Sequence, residues 1–436
     1  MTTATHAAGA ALDVARIRRD FPALGQRVHG RRLVFLDSAA SSQKPEQVLR
    51  AMDRTYRANY ANVHRGAYSF SRRSTDQYDQ ARATVAEFIG APSPSQIVFT
   101  RNATEALNLV AHSYGRSVLQ PGDEIVLTEL EHHANHLPWL MLARERGLAV
   151  KFIPITGDGR LDLGALDELI TPRTRLVSFA HVSNVLGTIT DPRPIITRAH
   201  AVGAVAVLDA CQSVPHLPVN VQELGADFLV FSGHKMLGPT GIGALYGRAD
   251  LLESMPPFMT GGDVASDVGF GEVVWEPAPL RFEAGTPAFV EAIGLGAAIE
   301  YLQSIGMARV RAHERELVAY ALVQLGALPG VRLFGPRDPE LRSGVVTFTV
   351  EGISPTDLAV ALDSHGIAIR SGRHCAHPLH QRLGVPATAR ASFAIYNDLR
   401  DVDALVAGVA AVQRELLAPA PRPAARAVSL VDCSAV

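Results

Sequence analysis

The stretch Phe228-Leu229-Val230-Phe231-Ser232-Gly233-His234-Lys235 decides the fold, because an apolar strand runs directly into a small polar loop that contains a lysine. A second apolar run, residues 205–208, lies one short helix earlier and ends at Asp209. Either charged residue alone would be an ordinary exposed side chain. In an open α/β sheet, however, functional groups collect beyond the carboxyl ends of the strands. The sequence therefore predicts that Asp209 and Lys235 share one site.

The chain around this stretch alternates between β-branched apolar runs and helical segments. Further strands are predicted over residues 97–100, 124–127, 150–155, 176–179 and 241–246, with helices from about Thr104 and over 139–146. This alternation is typical of an α/β fold whose mostly parallel central sheet is covered on both faces.

The pattern changes in the last third of the chain. A long helix over residues 289–305 is expected to join two domains, and the segments 345–350, 357–364 and 367–370 beyond it suit a smaller α+β domain. We predict an N-terminal arm over residues 1–25 that packs on the small domain, a large domain over 26–296 and a small C-terminal domain over 297–416. Residues 417–436, rich in proline and alanine, are expected to form a mobile tail.

Composition excludes several classes of protein. The 436 residues are 47% hydrophobic and carry a formal charge of −2, so no basic excess indicates nucleic-acid binding. Three cysteines, at positions 211, 375 and 433, are too few for a disulfide framework. No run of about 18 apolar residues and no signal-peptide pattern is present. We therefore expect a cytoplasmic protein that neither is secreted nor spans a membrane.

The groups at the predicted sheet edge match the needs of pyridoxal 5′-phosphate (PLP). A lysine amine can bond to the cofactor aldehyde, and a carboxylate can hold the pyridine nitrogen protonated. Small donors such as Ser232 suit a phosphate. Thr104 is predicted at a helix start, where backbone N–H groups bind phosphate, although a threonine there is also an ordinary helix cap.

Six ordered segments extend this interpretation, and they span roughly residues 12–415. They read RNATEA at 101–106, EHHAN at 131–135, HVSNVLG at 181–187, SGHK at 232–235, RFEAGTP at 281–287 and RSGRHCA at 370–376. In this order they resemble the group II, Suf-type cysteine desulfurases of the PLP-dependent aminotransferase class V family. The resemblance implies an aspartate aminotransferase-type fold and conversion of L-cysteine to L-alanine. It also implies that sulfur is captured as a persulfide and passed on for iron–sulfur cluster assembly.

The resemblance also implies residue roles. Lys235 would hold PLP and remove the substrate Cα proton, Asp209 would pair with the ring nitrogen, and Cys375 would attack the substrate sulfur. His132 would stack on the ring and assist protonation at the leaving sulfur. The remaining contacts implied are Thr104, Ser232 and His234 at the phosphate, Thr286 at the phosphate of a neighbouring subunit in a homodimer, Asn184 and Gln212 near the phenolic oxygen, and Arg390, Arg370 and Asn184 at the substrate carboxylate.

The cysteine loop contains one departure from the family pattern. Arg370, Arg373 and His374 surround Cys375 with basic groups, which favour the thiolate that a nucleophile needs. The family usually has two histidines before this cysteine, whereas Arg373 replaces the first here, which leaves the role of that position open. Cys211 is interpreted as a core residue and Cys433 as an incidental thiol.

The expected sulfur acceptor follows from one position. Family members that pass sulfur to a zinc-bearing, scaffold-like partner have a histidine at the start of the helix before the cysteine loop, and spacing places Thr356 there. A hydroxyl is a poor zinc ligand compared with imidazole. We therefore expect a zinc-free, SufE-like acceptor.

Other functions use the same residues. A selenocysteine lyase would need the same groups. A metal-binding protein could use His132, His136, His374 and Cys375, although no Glu-x-x-His pattern accompanies them and we predict no metal. A non-catalytic scaffold disagrees with the intact set of Lys235, Asp209 and Cys375.

Overall fold

The computed structural model describes residues 12–417, so the predicted tail beyond Leu417, including Cys433, lies outside the described residues. Its centre is a seven-stranded sheet. In spatial order the strands are Ile97–Thr100, Gly243–Gly247, Phe228–Ser232, Val205–Asp209, Thr174–Ala180, Glu124–Thr128 and Ala149–Ile153. Gly243–Gly247 runs antiparallel to both neighbours, and the other strand pairs are parallel. The predicted α/β fold with a mostly parallel sheet is confirmed.

Helices cover both faces of this sheet, as a parallel sheet requires. Val207 and Leu208 are adjacent and fully buried, yet they belong to two different apolar clusters, because successive strand residues point to opposite faces. The α-helices are Val14–Arg19, Glu46–Ala58, Ser69–Phe88, Ala103–Leu109, Arg116–Val118, Leu137–Arg146, Leu166–Leu169, Arg193–Ala201, Val221–Leu224, Ala249–Ser254 and Phe289–Ile305, with a π-helical turn at Val110–Gly115.

The smaller domain contains a four-stranded antiparallel sheet in the order Val331–Phe334, Val345–Val350, Thr388–Ser392 and Arg370–Gly372. Its helices are Met307–Gly326, Pro355–Ser364, His377–Leu383 and Leu399–Leu417. The predicted α+β domain is therefore confirmed. Within this sheet Arg370 lies directly opposite Arg390, which brings two guanidinium groups to the same face.

Three short strand pairs complete the fold. They are Arg27–Val28 with Arg31–Arg32, Val34–Phe35 with Ile367–Ala368, and Ala265–Val268 with Val273–Trp275. The second pair is parallel and joins the N-terminal part of the chain to the small domain.

Two features of the structure are relevant to the proposed domain limits: the helix that joins the domains, and the N-terminal arm. The helix Phe289–Ile305 spans the boundary at 296/297, and Ile305 packs in the same apolar cluster as the large-domain strands. In the arm, Phe21 packs edge-on against Tyr301 and Tyr396, so it touches both this helix and the C-terminal part. The four-part division stays a proposal. No helix within residues 12–417 is long and apolar enough to cross a membrane.

Candidate active site

A cavity of about 240 Å³ lies beyond the carboxyl ends of the central strands, between the two domains. Most of the residues singled out from the sequence line it: Thr104, His132, Asn184, Asp209, Ser232, His234, Lys235, Arg370, Cys375 and Arg390. The large domain supplies the first seven and the small domain the last three. The cavity therefore brings together functional side chains that lie as much as 286 residues apart in sequence, from Thr104 to Arg390.

Asp209 is the last residue of the strand Val205–Asp209 and is only 6% exposed. Its Oδ1 accepts a hydrogen bond of 3.0 Å from the backbone N–H of Cys211. Among the described residues no basic side chain lies within ion-pair distance of this carboxylate. A buried carboxylate is costly without a cationic partner. Its surroundings therefore suit a ligand that carries a protonated ring nitrogen.

Lys235 lies on a 3-10 turn, Gly233–Lys235, directly after the strand Phe228–Ser232. The turn depends on Gly233, because a Cβ there would meet Ile242 Cγ2 at 2.9 Å and Ile242 O at 3.1 Å. The carbonyl of His234 accepts hydrogen bonds from Ser42 N at 3.0 Å and from Lys44 Nζ at 3.0 Å. The lysine is thus half-buried on a turn held from both sides, as covalent attachment of a cofactor requires.

The helix start at Ala103–Leu109 forms another wall of the cavity. The Asn102 side chain caps it by accepting from Glu105 N at 3.0 Å, and Ser232 Oγ accepts from Ala103 N at 2.9 Å. Thr104 follows in the first turn, next to the end of the strand that carries Ser232. Hydroxyl and backbone donors at a helix start form a suitable place for a phosphate.

His132 lines the cavity together with Asp209 and Lys235, and it directly precedes the 3-10 turn His133–Asn135. Its Nδ1 accepts a hydrogen bond of 3.0 Å from Ala134 N, so a neutral ring carries its proton on Nε2. Burial, followed by the positive charge of Lys235, lowers the pKa of His132 below its usual value. The ring is therefore neutral at pH 7, with Nε2–H available as a donor.

Two arginines of the small domain, Arg370 and Arg390, line the cavity, and both contact Asp37. Arg390 is 2% exposed, and it donates from Nη1 to Asn184 O at 2.8 Å and from Nη2 to Asp37 Oδ1 at 3.1 Å. Its Nε has no partner among the described residues. Arg370 is more exposed and reaches Asp37 at 3.7 Å. The pair can bind a carboxylate, and the buried Nε–H of Arg390 is available to donate to one.

Cys375 is exposed and belongs to a loop held by contacts from the large domain. Its carbonyl accepts from His133 N at 2.7 Å, and the carbonyl of His374 accepts from Asn184 Nδ2 at 2.8 Å. Arg373 points outward and donates to Pro386 O at 2.9 Å. The loop therefore brings a thiol to the cavity wall beside His132 and Asn184.

Two of the predicted cofactor contacts do not line this cavity. Gln212 donates from Nε2 to Ala39 O at 2.7 Å, and its buried Oε1 has no partner among the described residues. Thr286 is exposed and lines a separate cavity of about 390 Å³. In one chain, therefore, Thr286 is not part of the site, and its assignment to a neighbouring subunit stays a prediction.

Cys211 is buried in an apolar cluster, as the interpretation of a core residue expects, but it also lines the cavity. Burial, with the negative charge of Asp209 as the next cause, raises the pKa of its thiol. This thiol is therefore protonated at neutral pH and unsuited to nucleophilic attack.

Histidines and cysteines do not gather into a metal centre in the described part of the chain. Within residues 12–417 no group of three or more histidine, cysteine, aspartate or glutamate residues could hold a metal ion. His136 instead packs edge-on against Phe152 with ring centres 5.4 Å apart. The metal-binding alternative therefore has no geometric support.

Sequence reasoning missed Asp37, which contacts Arg370 and Arg390, and it missed Thr388, whose Oγ1 lies 3.0 Å from Nε2 of His374 in the cavity wall. Asp37 follows the short strand Val34–Phe35 and precedes small residues, the same signal that identified Asp209. Thr388 gives no comparable signal, since a threonine inside a strand is ordinary.

The chain is similar to known proteins over most of its length. The family described as Aminotransferase class-V matches residues 34–405. A probable cysteine desulfurase of Streptomyces coelicolor is 49% identical over 403 residues, covering 91% of this chain and 96% of the relative. A probable cysteine desulfurase of Halalkalibacterium halodurans is 47% identical, covering 91% of this chain and 97% of the relative.

Two solved structures are similar as well. The cysteine desulfurase CsdA of Escherichia coli, in an S-sulfonic acid form, superposes with a TM-score of 0.87 at 42% identity, covering 93% of this chain and 100% of the other. The apo cysteine desulfurase of Thermococcus onnurineus NA1 gives a TM-score of 0.88 at 40% identity, covering 94% of this chain and 100% of the other.

Proposed function

This chain belongs to the aminotransferase class-V family, as a PLP-dependent cysteine desulfurase, and from that premise we propose that it converts L-cysteine to L-alanine and takes the sulfur onto Cys375. The observation that carries the proposal is that Cys375 lines the same cavity as Lys235 and Asp209.

The residues present fit PLP. When bound, this cofactor supplies an aldehyde that bonds to amines and a ring that withdraws electrons from the substrate Cα. Lys235 would hold it covalently, and Asp209, which lacks a cationic neighbour among the described residues, would face its ring nitrogen. Thr104, Ser232 and the loop of His234 would hold the phosphate, at the helix start that Asn102 caps.

The protein's own groups then divide the work. Arg390 holds the substrate carboxylate through guanidinium N–H groups fixed by Asn184 and Asp37. Lys235, once free, takes the Cα proton as a general base. His132 is neutral with its proton on Nε2, which suits it to donate a hydrogen bond to the reacting sulfur. Cys375 thiolate attacks that sulfur and forms the S–S bond of a persulfide as the C–S bond breaks. The bonding pair stays with the substrate Cβ, which takes up a proton, and Lys235 returns its proton to Cα to give alanine.

Replacing Cys375 tests this assignment. We expect Cys375→Ala to bind PLP with the visible spectrum of wild type. It should also keep the spectral change that L-cysteine causes, because the thiol acts after substrate binding. Alanine formation should fall by at least about 10²-fold, since the covalent acceptor is lost. Cys433→Ala is the matched control and should keep wild-type turnover. Full turnover in Cys375→Ala, or loss in Cys433→Ala, would contradict the proposal.

We also propose a homodimer in which Thr286 reaches the partner's cofactor phosphate. The hairpin Ala265–Val268 and Val273–Trp275 supports an intermolecular contact, because Phe270 at its tip and Val268 expose apolar surface to solvent. Sedimentation should give twice 46.6 kDa, and a fully active monomer would refute it.

For the acceptor, we propose a zinc-free, SufE-like protein that feeds iron–sulfur cluster assembly. Thr356 lies exposed in the first turn of the helix Pro355–Ser364, where an imidazole would be needed to take over a zinc ligand. Turnover should respond to a SufE-like acceptor, and stimulation by a zinc-bearing acceptor with zinc shared by this chain would overturn the proposal.

A further inference from the structure

Two buried histidines share the hydroxyl of Thr388, and one of them, His374, directly precedes Cys375 in its loop. His374 Nε2 and His380 Nε2 each lie 3.0 Å from Thr388 Oγ1. The three residues are 6%, 1% and 0% exposed, in the order His374, His380 and Thr388. None of the steps described above uses Thr388 or His380, so this buried polar cluster needs its own explanation.

The direction of each hydrogen bond follows from one carbonyl. His380 Nδ1 lies 3.0 Å from Ala376 O, and a carbonyl only accepts, so Nδ1 carries the proton. Burial lowers the pKa of His380, so the ring is neutral at pH 7 and its Nε2 is a bare acceptor. Thr388 must therefore donate its hydroxyl proton to His380 and accept from His374 Nε2–H.

The hydrogen-bond relay from His380 through Thr388 ends at His374, in a segment with an unusual backbone conformation. His374 and Cys375 have φ values of 49° and 54°, so two successive non-glycine residues are left-handed. Such residues persist only where the surrounding structure holds them. Asn184 Nδ2 and His133 N hold the two carbonyls, at 2.8 and 2.7 Å, from the large domain.

The side chain of His374 is held from the opposite side. Thr388 begins the strand Thr388–Ser392, which pairs with Arg370–Gly372 so that Thr388 lies opposite Gly372, two residues before His374. A β-sheet position thus fixes the distance between the hydroxyl and the loop. The large domain therefore holds the carbonyls of His374 and Cys375, and Thr388 holds the imidazole ring of His374.

We propose that Thr388 is a positioning residue: its hydroxyl, oriented by His380, holds His374 and thereby keeps Cys375 in the left-handed conformation that presents the thiol to the cavity. This inference rests on the proposed role of Cys375. It gives Thr388 a part in sulfur capture, and none in binding PLP or the substrate carboxylate.

The test compares Thr388→Val with Thr388→Ser in the PLP-loaded protein. Valine keeps the branched shape and removes the hydroxyl, whereas serine keeps the hydroxyl. We expect Thr388→Val to speed amide hydrogen exchange over residues 373–376 and to lower kcat about tenfold, the size of effect for a lost buried hydrogen bond. KM for L-cysteine and the visible spectrum should not change, and Thr388→Ser should resemble wild type in every measurement.

Equal impairment of the two variants would show that shape and not the hydroxyl matters, and wild-type exchange in Thr388→Val would show that the relay does not hold the loop. Either result overturns the proposal. If Thr388→Val does not fold, His380→Leu removes the group that orients the hydroxyl, and unchanged exchange over 373–376 in that variant overturns it equally. Hydrogen exchange needs no turnover, so failure of this inference is distinguishable from failure of the proposed function, which Cys375→Ala tests.

Discussion

The edge of the large sheet and the loop of Cys375 supply the two halves of the site in different ways. Asp209 and Lys235 lie at or just beyond the ends of buried parallel strands, on backbone that neighbouring strands hold in register. Cys375 lies on exposed, left-handed backbone whose carbonyls accept hydrogen bonds from N–H groups of distant segments, the Asn184 side chain and the His133 backbone. A cofactor needs a rigid seat, whereas a thiol that receives sulfur and passes it on must be reachable from solvent.

The difference also concerns how each half tolerates change. The strand ends are supported by regular hydrogen bonding and two apolar clusters, so single replacements there should alter chemistry without moving backbone. The loop depends on a few individual hydrogen bonds, so replacements some distance from the thiol should move it. Replacements of Lys235, of the two cavity arginines and of His181 test this contrast, with expected effects that decrease in that order.

Replacing Lys235 should have the largest effect, because neither of the other two lysines lines the cavity. The chain contains three lysines, at positions 44, 151 and 235. Of these, Lys235 is the one that lines the cavity, together with Asp209. We expect Lys235→Ala to lose at least about 10³-fold in turnover, as loss of a covalent anchor and general base together implies. After borohydride reduction, peptide mapping of the wild type should find the cofactor on Lys235.

Lys151 provides the matched control, since it lies on the outer strand Ala149–Ile153 and pairs with Glu124 at 2.7 Å. Lys151→Ala should keep the covalent label and most of the turnover. A label found on Lys44 or Lys151 would contradict the assignment of Lys235 as the residue that holds the cofactor.

The two cross-strand arginines should differ in a graded way. Arg390 is buried and held by Asn184 and Asp37, whereas the side chain of Arg370 is 45% exposed. A buried, preorganised guanidinium contributes more to carboxylate binding than an exposed one. We expect Arg390→Met to raise KM for L-cysteine by about 10²-fold, and Arg370→Met by less than about tenfold.

Steady-state kinetics on both variants would check this, with the visible spectrum as evidence that PLP stays bound. Arg390→Lys should recover only part of the loss, because an ammonium cannot reproduce two fixed N–H directions. Equal KM changes for the two methionine variants would mean that burial does not set the contribution of each arginine.

Replacing His181 should have the smallest effect on activity at neutral pH, and its main effect should be on stability at lower pH. His181 lies beside the sheet edge, and its backbone N–H donates to Asp209 O at 3.0 Å. Burial lowers the pKa of His181 to about 4. The folded state therefore binds fewer protons than the unfolded state between pH 6.5 and 4, and stability is complete above pH 6.5 and is lost as the pH falls. This one histidine accounts for at most about 3 kcal/mol of that loss.

Urea unfolding at pH 7.5, 5.5 and 4.5 would measure it. The unfolding free energy of wild type minus that of His181→Gln should decrease as the pH falls. A difference that stays constant over this range would show that His181 is not held neutral by its burial.

Much of the large domain was predictable because its signals are local. Runs such as 205–208 and 228–231 are apolar and rich in valine or phenylalanine, and the rule that ligands collect beyond parallel strands then placed Asp209 and Lys235 together. The helix Phe289–Ile305 and the strand Val345–Val350 were predicted with the bounds that the structure has. The antiparallel direction of Gly243–Gly247 was not, because an apolar run carries no information about direction.

The sequence by itself determined the fold class, the family resemblance and the identities of the reactive groups, since these depend on residue type, local pattern and order along the chain. Only the tertiary structure decided that Asp37 joins Arg370 to Arg390, that Asn184 and His133 hold the cysteine loop, and that Thr388 lies between two histidines. Each of these contacts joins segments that no local pattern relates. Their geometry is set by how the small-domain sheet packs against the large domain, which is a property of the folded chain as a whole.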